Sequence, residues 1–210
     1  SVVTYTGTGA NATVGHGLGV APSMIIVKER RAAGDSWYVY HVSLGATNNI
    51  FLDSTAASSA SATAWNNTAP TSTVFSLGTS VGVNQSTQTY VAYCFAAVAG
   101  YSAFGSYTGN GSADGPFVYL GFRPRFVLIK MSSGVAFWRI HDTSRNPYNV
   151  ADLSLYPNAN YADTTAVSEY WDILSNGFKL RTSDSEQNTN GATYIYAAFA
   201  ENPFKYANAR

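Results

Sequence analysis

Leu18-Gly19-Val20-Ala21-Pro22-Ser23-Met24-Ile25-Ile26-Val27-Lys28 returns 102 positions later as Leu120-Gly121-Phe122-Arg123-Pro124-Arg125-Phe126-Val127-Leu128-Ile129-Lys130. Each copy passes a Gly-x-x-Pro turn and runs into a short apolar stretch rich in β-branched residues, residues 24–29 and 126–130. Such runs, bounded by turn signals and too short for a helix, predict central, buried strands. The same displacement carries Tyr5-Thr6-Gly7-Thr8-Gly9 onto Tyr107-Thr108-Gly109-Asn110-Gly111. Two separate motifs with one common spacing mark a duplication.

Further along, the register drifts as loops allow. Trp37 and His41 are echoed by Trp138 and His141, Asn49-Ile50 by Asn149-Val150, and residues 90–96 by residues 194–200. The chain therefore reads as two modules, residues 1–100 and 101–210. Residues 37–42, 90–96, 137–141 and 193–200 predict further strands. Asn110-Gly111, Asn176-Gly177 and Asn190-Gly191 are turn signals, the last two in hairpin-like positions. Residues 54–73, with Trp65 and Pro70, read as a long loop whose counterpart is residues 156–167. No helical period stands out. The expected fold is all-β: tandem duplicated antiparallel β-sandwich modules, packed rigidly together because residues 100–104 are too few and too apolar for a tether.

Composition agrees. Charged residues make up 11% of the 210 positions, against about 25% in ordinary soluble domains. Aromatics reach 14%, led by 15 Tyr, which favours strands. The 12 basic and 12 acidic side chains cancel, so no net field steers the chain to nucleic acid or an anionic membrane. The balance is uneven, however. Residues 1–100 hold only Lys28, Arg30 and Arg31 against Glu29, Asp35 and Asp53, and the second module carries the rest. The longest weakly polar run, residues 90–100, is too short to insert in a bilayer, and Ser1-Val2-Val3 shows no leader pattern. The expectation is a soluble part of a longer chain.

Chemistry-bearing patterns are sparse. Gly78-Thr79-Ser80-Val81-Gly82 fits the nucleophile-elbow pattern, but that elbow needs a strand and a helix in an α/β sheet. His16, His41 and His141 lack paired ligand spacing, and His41 and His141 read as a repeated core histidine, so no metal or other cofactor is expected. Asp184-Ser185-Glu186 is the densest acidic cluster, short of a calcium loop. Asp142, Asp152, Asp163, Glu169, Asp172 and Glu186 could supply a glycosidase pair, although Asp53 against Asp152 reads as a structural repeat. Cys94, without a partner, reads as a buried thiol. The stronger pattern is aromatic. Trp65, Tyr148, Tyr156, Tyr161, Tyr170 and Trp171 lie in or beside polar loops, where flat rings next to amides suit sugars and protein surfaces. These six are the expected ligand-binding residues, set against the alternative that they anchor loops.

Phe104-Gly-Ser-Tyr-Thr-Gly-Asn-Gly111, Asp114-Gly-Pro-Phe-Val-Tyr-Leu-Gly-Phe-Arg-Pro124, Arg145-Asn-Pro-Tyr-Asn149, Leu174-Ser-Asn-Gly-Phe-Lys-Leu-Arg181 and the ending Tyr196-Ala-Ala-Phe-Ala-Glu-Asn-Pro-Phe-Lys205 resemble a domain common in virion proteins of tailed bacteriophages. The resemblance covers nearly the whole chain and is looser in the first module. It implies a non-enzymatic virion protein, of tail-fibre or receptor-binding type, that recognises a host-surface glycan or outer-membrane component. Other virion proteins are then partners, and fibre geometry implies a homotrimer. The alternatives are capsid decoration or a tail or neck adaptor without receptor contact, and a surface-polysaccharide hydrolase.

Overall fold

The computed structural model describes residues 1–31, 35–165 and 170–201. The chain divides into two compact units, Ser1–Ala96 and Ala97–Arg210, and the regular structure of each is almost wholly antiparallel strand.

The first unit contains β1 (Val2–Thr6), β2 (Ala12–Gly15), β3 (Met24–Glu29), β4 (Tyr38–His41), β5 (Asn48–Phe51), β6 (Ser59–Ala60), β7 (Val74–Leu77), α1 (Val81–Asn84) and β8 (Thr89–Phe95). Its main sheet runs β1-β8-β3-β4-β5-β6, and β2 pairs with β7. The apolar run of β3 lies between β8 and β4, as a central strand should. Ile25 and Val27 of β3, Tyr90, Ala92 and Cys94 of β8, and Phe75 and Leu77 of β7 share one core, so the β2–β7 pair closes over the sheet. Burial pushes the Cys94 thiol up to about 11.

The second unit contains β9 (Ser102–Thr108), β10 (Phe117–Tyr119), β11 (Pro124–Met131), β12 (Arg139–Asp142), β13 (Leu153–Ser154), β14 (Thr164–Thr165), β15 (Trp171–Leu174), β16 (Gly177–Leu180), α2 (Ser185–Asn188) and β17 (Thr193–Ala200). A sheet β12-β11-β17-β9 faces a sheet β10-β16-β15, with β13 and β14 paired beside them. Val127 and Ile129 of β11, Tyr194 and Ala198 of β17, and Phe178 and Leu180 of β16 meet in the core. This is the same sandwich rebuilt.

The repeated motifs have repeated physical jobs. Tyr5 is the cross-strand partner of Tyr90, with rings stacked at 5.1 Å, and its hydroxyl donates to the Val83 carbonyl at 2.7 Å. Tyr107 does the same on Tyr194 at 4.9 Å and donates to the Gln187 carbonyl at 2.9 Å. The buried Asn84 amide accepts from the Thr8 N–H at 2.8 Å and donates to the Ala10 and Gly78 carbonyls. Asn188 accepts from Asn110 N–H at 2.8 Å and donates to the Ser112 and Thr182 carbonyls. Gly7 and Gly109 sit where a Cβ would come within 2.2 Å of the Gln85 and Thr189 carbonyl oxygens. The Tyr-Thr-Gly signature is thus one packing device used twice.

Three expected echoes are displaced. Pairing of β3 with β4 sets Met24 opposite His41 and Ile25 opposite Tyr40, whereas Phe126 faces Asp142 and Val127 faces His141. His41 therefore corresponds to Asp142, and each caps its following turn by accepting from a serine N–H, Ser43 at 3.2 Å and Ser144 at 2.9 Å. The counterpart of His141 is Tyr40. Asp53 accepts from Trp37 N–H as Asn158 accepts from Trp138 N–H, so Asn158, not Asp152, answers Asp53. Ile50 pairs with Val39 as Leu155 bridges Ile140, which displaces the Asn49-Ile50 echo as well. Asn176 closes the β15–β16 hairpin, but Asn190-Gly191 joins α2 to β17 and closes none.

Candidate ligand-binding surface of the second unit

Asn158 lies 20 positions after Trp138, whereas in the first unit Asp53 lies 16 after Trp37. The extra length lies in the loop after β12. Asp142 organises its start, accepting from the N–H groups of Ser144 and Arg145 at 2.9 Å each and from Arg145 Nε at 2.7 Å. Partial burial works against the charged carboxylate, but the Arg145 hydrogen bonds prevail and hold its pKa below the ordinary value. Arg145 also donates to the Ile140 carbonyl at 3.1 Å and to Asp163 at 3.3 Å, tying this loop to the one that carries Tyr161. Asn146 donates to Asp152 at 2.9 Å and accepts from Leu153 N–H. The loop is well fastened.

Beside it lies an open groove of about 410 Å³. Phe126, Leu155 and Phe199 supply its apolar lining, and Arg125, Asp142, Ser144 and Arg145 its polar rim. Phe199 is fixed by Phe126 at 6.0 Å and, edge-on, by Phe104 at 5.8 Å.

The expected aromatic residues divide. Tyr148 stands on the long loop, 83% exposed, and Tyr161 is 58% exposed. Tyr156 and Tyr161 meet edge-to-face at 5.4 Å and both pack on Phe137, while Arg139 lies 4.8 Å over the Tyr156 ring. Tyr170 is half-buried, and its carbonyl accepts from Arg181 N–H at 2.7 Å. Trp65 and Trp171 fall outside the surface altogether. Each is enclosed in its core, where neither ring can stack on a ligand.

The other patterns take structural places. Ser80 precedes the single turn of α1 and approaches the Tyr38 hydroxyl at 3.4 Å. His141, fully buried, hydrogen-bonds Ser154 through Nε2 at 3.0 Å and stacks on Trp171. Burial, helped by the charges of Arg139 and Arg145, drops its pKa to about 3, so it stays neutral. His16 bonds the Thr71 carbonyl. Asp172 pairs with Arg181 and Glu186 with Arg139, and Glu169 lies outside the described residues, as do residues 166–167 of the expected loop and residues 202–205 of the closing motif. Among the described residues no group of three or more His, Cys, Asp or Glu is arranged to hold a metal ion. No described helix is long and apolar enough to cross a membrane. The groove itself escaped the sequence reading. Its signal was present: inside a turn repeated in both copies, Ser23 is answered by Arg125.

Fold and surface together define a duplicated β-sandwich domain whose second copy carries the elaborated loops. Residues 1–203 match the family described as Domain of unknown function (DUF7483), and the chain belongs to that family. The match runs across both units. No curated protein and no solved structure matches the chain.

Proposed function

We propose that this domain is a non-enzymatic binding module of a tailed-bacteriophage virion protein, of tail-fibre type, that engages a component of the host surface. The observation that carries the reading is the asymmetry between the copies. The scaffold devices are duplicated, while the lengthened loop with exposed Tyr148, the neighbouring loop with exposed Tyr161 and the adjoining groove lie in the second unit. Loops on a rigid scaffold are where binding surfaces diverge. Exposed aromatic rings beside hydroxyls and amides suit a glycan, whose C–H faces stack and whose hydroxyls take the hydrogen bonds. The virion setting rests on the family resemblance of the sequence motifs. A homotrimer fits this reading, because three weak sites on one axis give avidity.

The test is a microbial glycan array and adsorption of labelled protein to bacterial cells. Retention on a surface glycan, reduced by Tyr148→Ala and Tyr161→Ala, is the expected result. Immunogold labelling confined to the head of virions carrying the chain would overturn the receptor reading in favour of capsid decoration. Release of reducing sugar from a bound polysaccharide would overturn the non-enzymatic part, and a monomer in light scattering the trimer.

A further inference from the structure

We propose that the groove lined from β11, β12 and β17 binds the carboxylate of an acidic sugar, with Arg125 as its anchor. The inference rests on the glycan-binding reading and names the ligand class for it.

The argument begins with what each arginine is already doing. Arg145 is spent on the fold: its guanidinium serves Asp142, Asp163 and the Ile140 carbonyl. Arg125 is exposed, and among the described residues its guanidinium hydrogen-bonds the Ser144 hydroxyl alone, at 2.5 Å. Among the described residues no carboxylate pairs with it. A guanidinium carries five N–H donors in a planar fork shaped for a carboxylate, so most of its capacity faces the groove unused. Ser144 fixes the fork in place, which lowers the ordering cost of a bidentate bond.

Charge then narrows the class. The rim offers two guanidiniums, and both nearby carboxylates, Asp142 and Asp163, pair with Arg145. The four charges sum to zero, so the site offers one unpaired guanidinium fork and no excess positive charge, which suits a monoanion such as a sugar carboxylate better than a phosphate dianion. Behind that fork lie the rings of Phe126 and Phe199, which give the C–H face of a pyranose something to stack on. A volume of about 410 Å³ is at the small end of ligand pockets. The first unit lacks the feature, since Ser23 and His41 stand where Arg125 and Asp142 stand in the second.

The experiment is calorimetric titration of the chain with tri-galacturonate, its methyl ester, sialyllactose, neutral lactose and inorganic phosphate. A carboxylate-bearing sugar should bind, and esterification or loss of the acid should weaken binding tenfold or more. Arg125→Gln should weaken it tenfold or more, about 1.4 kcal/mol, with the melting temperature unchanged because the side chain is exposed. Arg125→Lys should recover only part, since it restores charge without the fork. Equal affinity for acid and ester, tighter binding of phosphate than of either acidic sugar, full affinity in Arg125→Gln, or no binding of either acidic sugar would each overturn the proposal. The glycan array separates this from the broader reading. Retention of neutral glycans only, unaffected by Arg125→Gln, sinks the groove and leaves the receptor module standing; no retention of any glycan, with no adsorption to cells, sinks both.

Discussion

Trp65 in the first unit and Trp171 in the second hold the same place in their cores. The residue before each lends its carbonyl to the strand that follows: Ala64 accepts from Gly78 N–H at 2.9 Å, and Tyr170 from Arg181 N–H at 2.7 Å. Each indole lies against the matching β4 or β12 side chain, Trp65 edge-on to Tyr40 at 5.9 Å and Trp171 stacked on His141 at 4.2 Å. Only the polar end differs. Trp171 Nε1 donates to Gln187 Oε1 at 2.6 Å, while Trp65 Nε1 has no hydrogen-bond partner among the described residues.

Two consequences are measurable by denaturant unfolding. Trp65→Ala and Trp171→Ala should each cost about 3–5 kcal/mol, as the loss of a large buried ring does. Trp171→Phe should cost more than Trp65→Phe, by about 1–3 kcal/mol, because it also orphans the buried Gln187 oxygen. Equal costs for the two Phe variants would show that the Gln187 bond contributes nothing net.

Asn84 and Asn188 pin the loops after β1 and β9. Replacing either with Ala leaves two carbonyls and one N–H without their partners, which should cost about 2–4 kcal/mol. Hydrogen exchange locates the effect. The Thr8 amide should lose protection in Asn84→Ala and the Asn110 amide in Asn188→Ala; loss spread evenly over a whole unit would instead mark the clamp as part of the global core.

The duplication was legible because its motifs answer to constraints both units share. Tyr5 with Tyr107, Gly7 with Gly109 and the Gly-x-x-Pro turns keep identity because packing fixes them. The Trp65–Trp171 match was hidden by loop insertions and by neighbours with no resemblance, so both looked like loop aromatics. His41 and His141 misled in the opposite way. A one-residue slip made them coincide in sequence, while strand register sets His41 against Asp142. The change from Ser23 to Arg125 was visible in the sequence but carried no weight there, since an arginine's value as an anchor depends on whether a carboxylate neutralises it in space.

Acid should weaken the second unit through His141. Its folded pKa is about 3, and an unfolded histidine titrates near 6.5. As pH falls from about 6.5 toward 3, the unfolded state takes up a proton that the buried ring refuses. Stability therefore drops by up to about 1.4 kcal/mol per pH unit across that window. Unfolding midpoints from pH 7 to pH 4.5 check this, and His141→Gln, which cannot protonate, should flatten the slope. An unchanged slope would assign the acid sensitivity to groups other than His141; Asp142 is not one of them in this window, because its depressed pKa keeps its contribution in place above the ordinary carboxylate range and loses it only below.

Gly7 and Gly109 explain why the Tyr-Thr-Gly signature survives in both copies. Neither has a positive φ, so backbone freedom is not the reason. The added Cβ of Gly7→Ala would come within 2.2 Å of the Gln85 carbonyl oxygen, and that of Gly109→Ala within 2.2 Å of the Thr189 oxygen. Both obstacles are backbone, which cannot swing aside. Each variant should cost about 2 kcal/mol or more, because the strand must move away from the turn that its tyrosine hydroxyl caps. Gly15 is the contrast: its Cβ would meet nothing closer than the Thr73 oxygen at 3.9 Å. Gly15→Ala should be neutral or stabilising by up to about 1 kcal/mol, through reduced freedom of the unfolded chain. If Gly15→Ala costs as much as Gly7→Ala, the glycines matter through strand propensity, and close approach is not what preserves them.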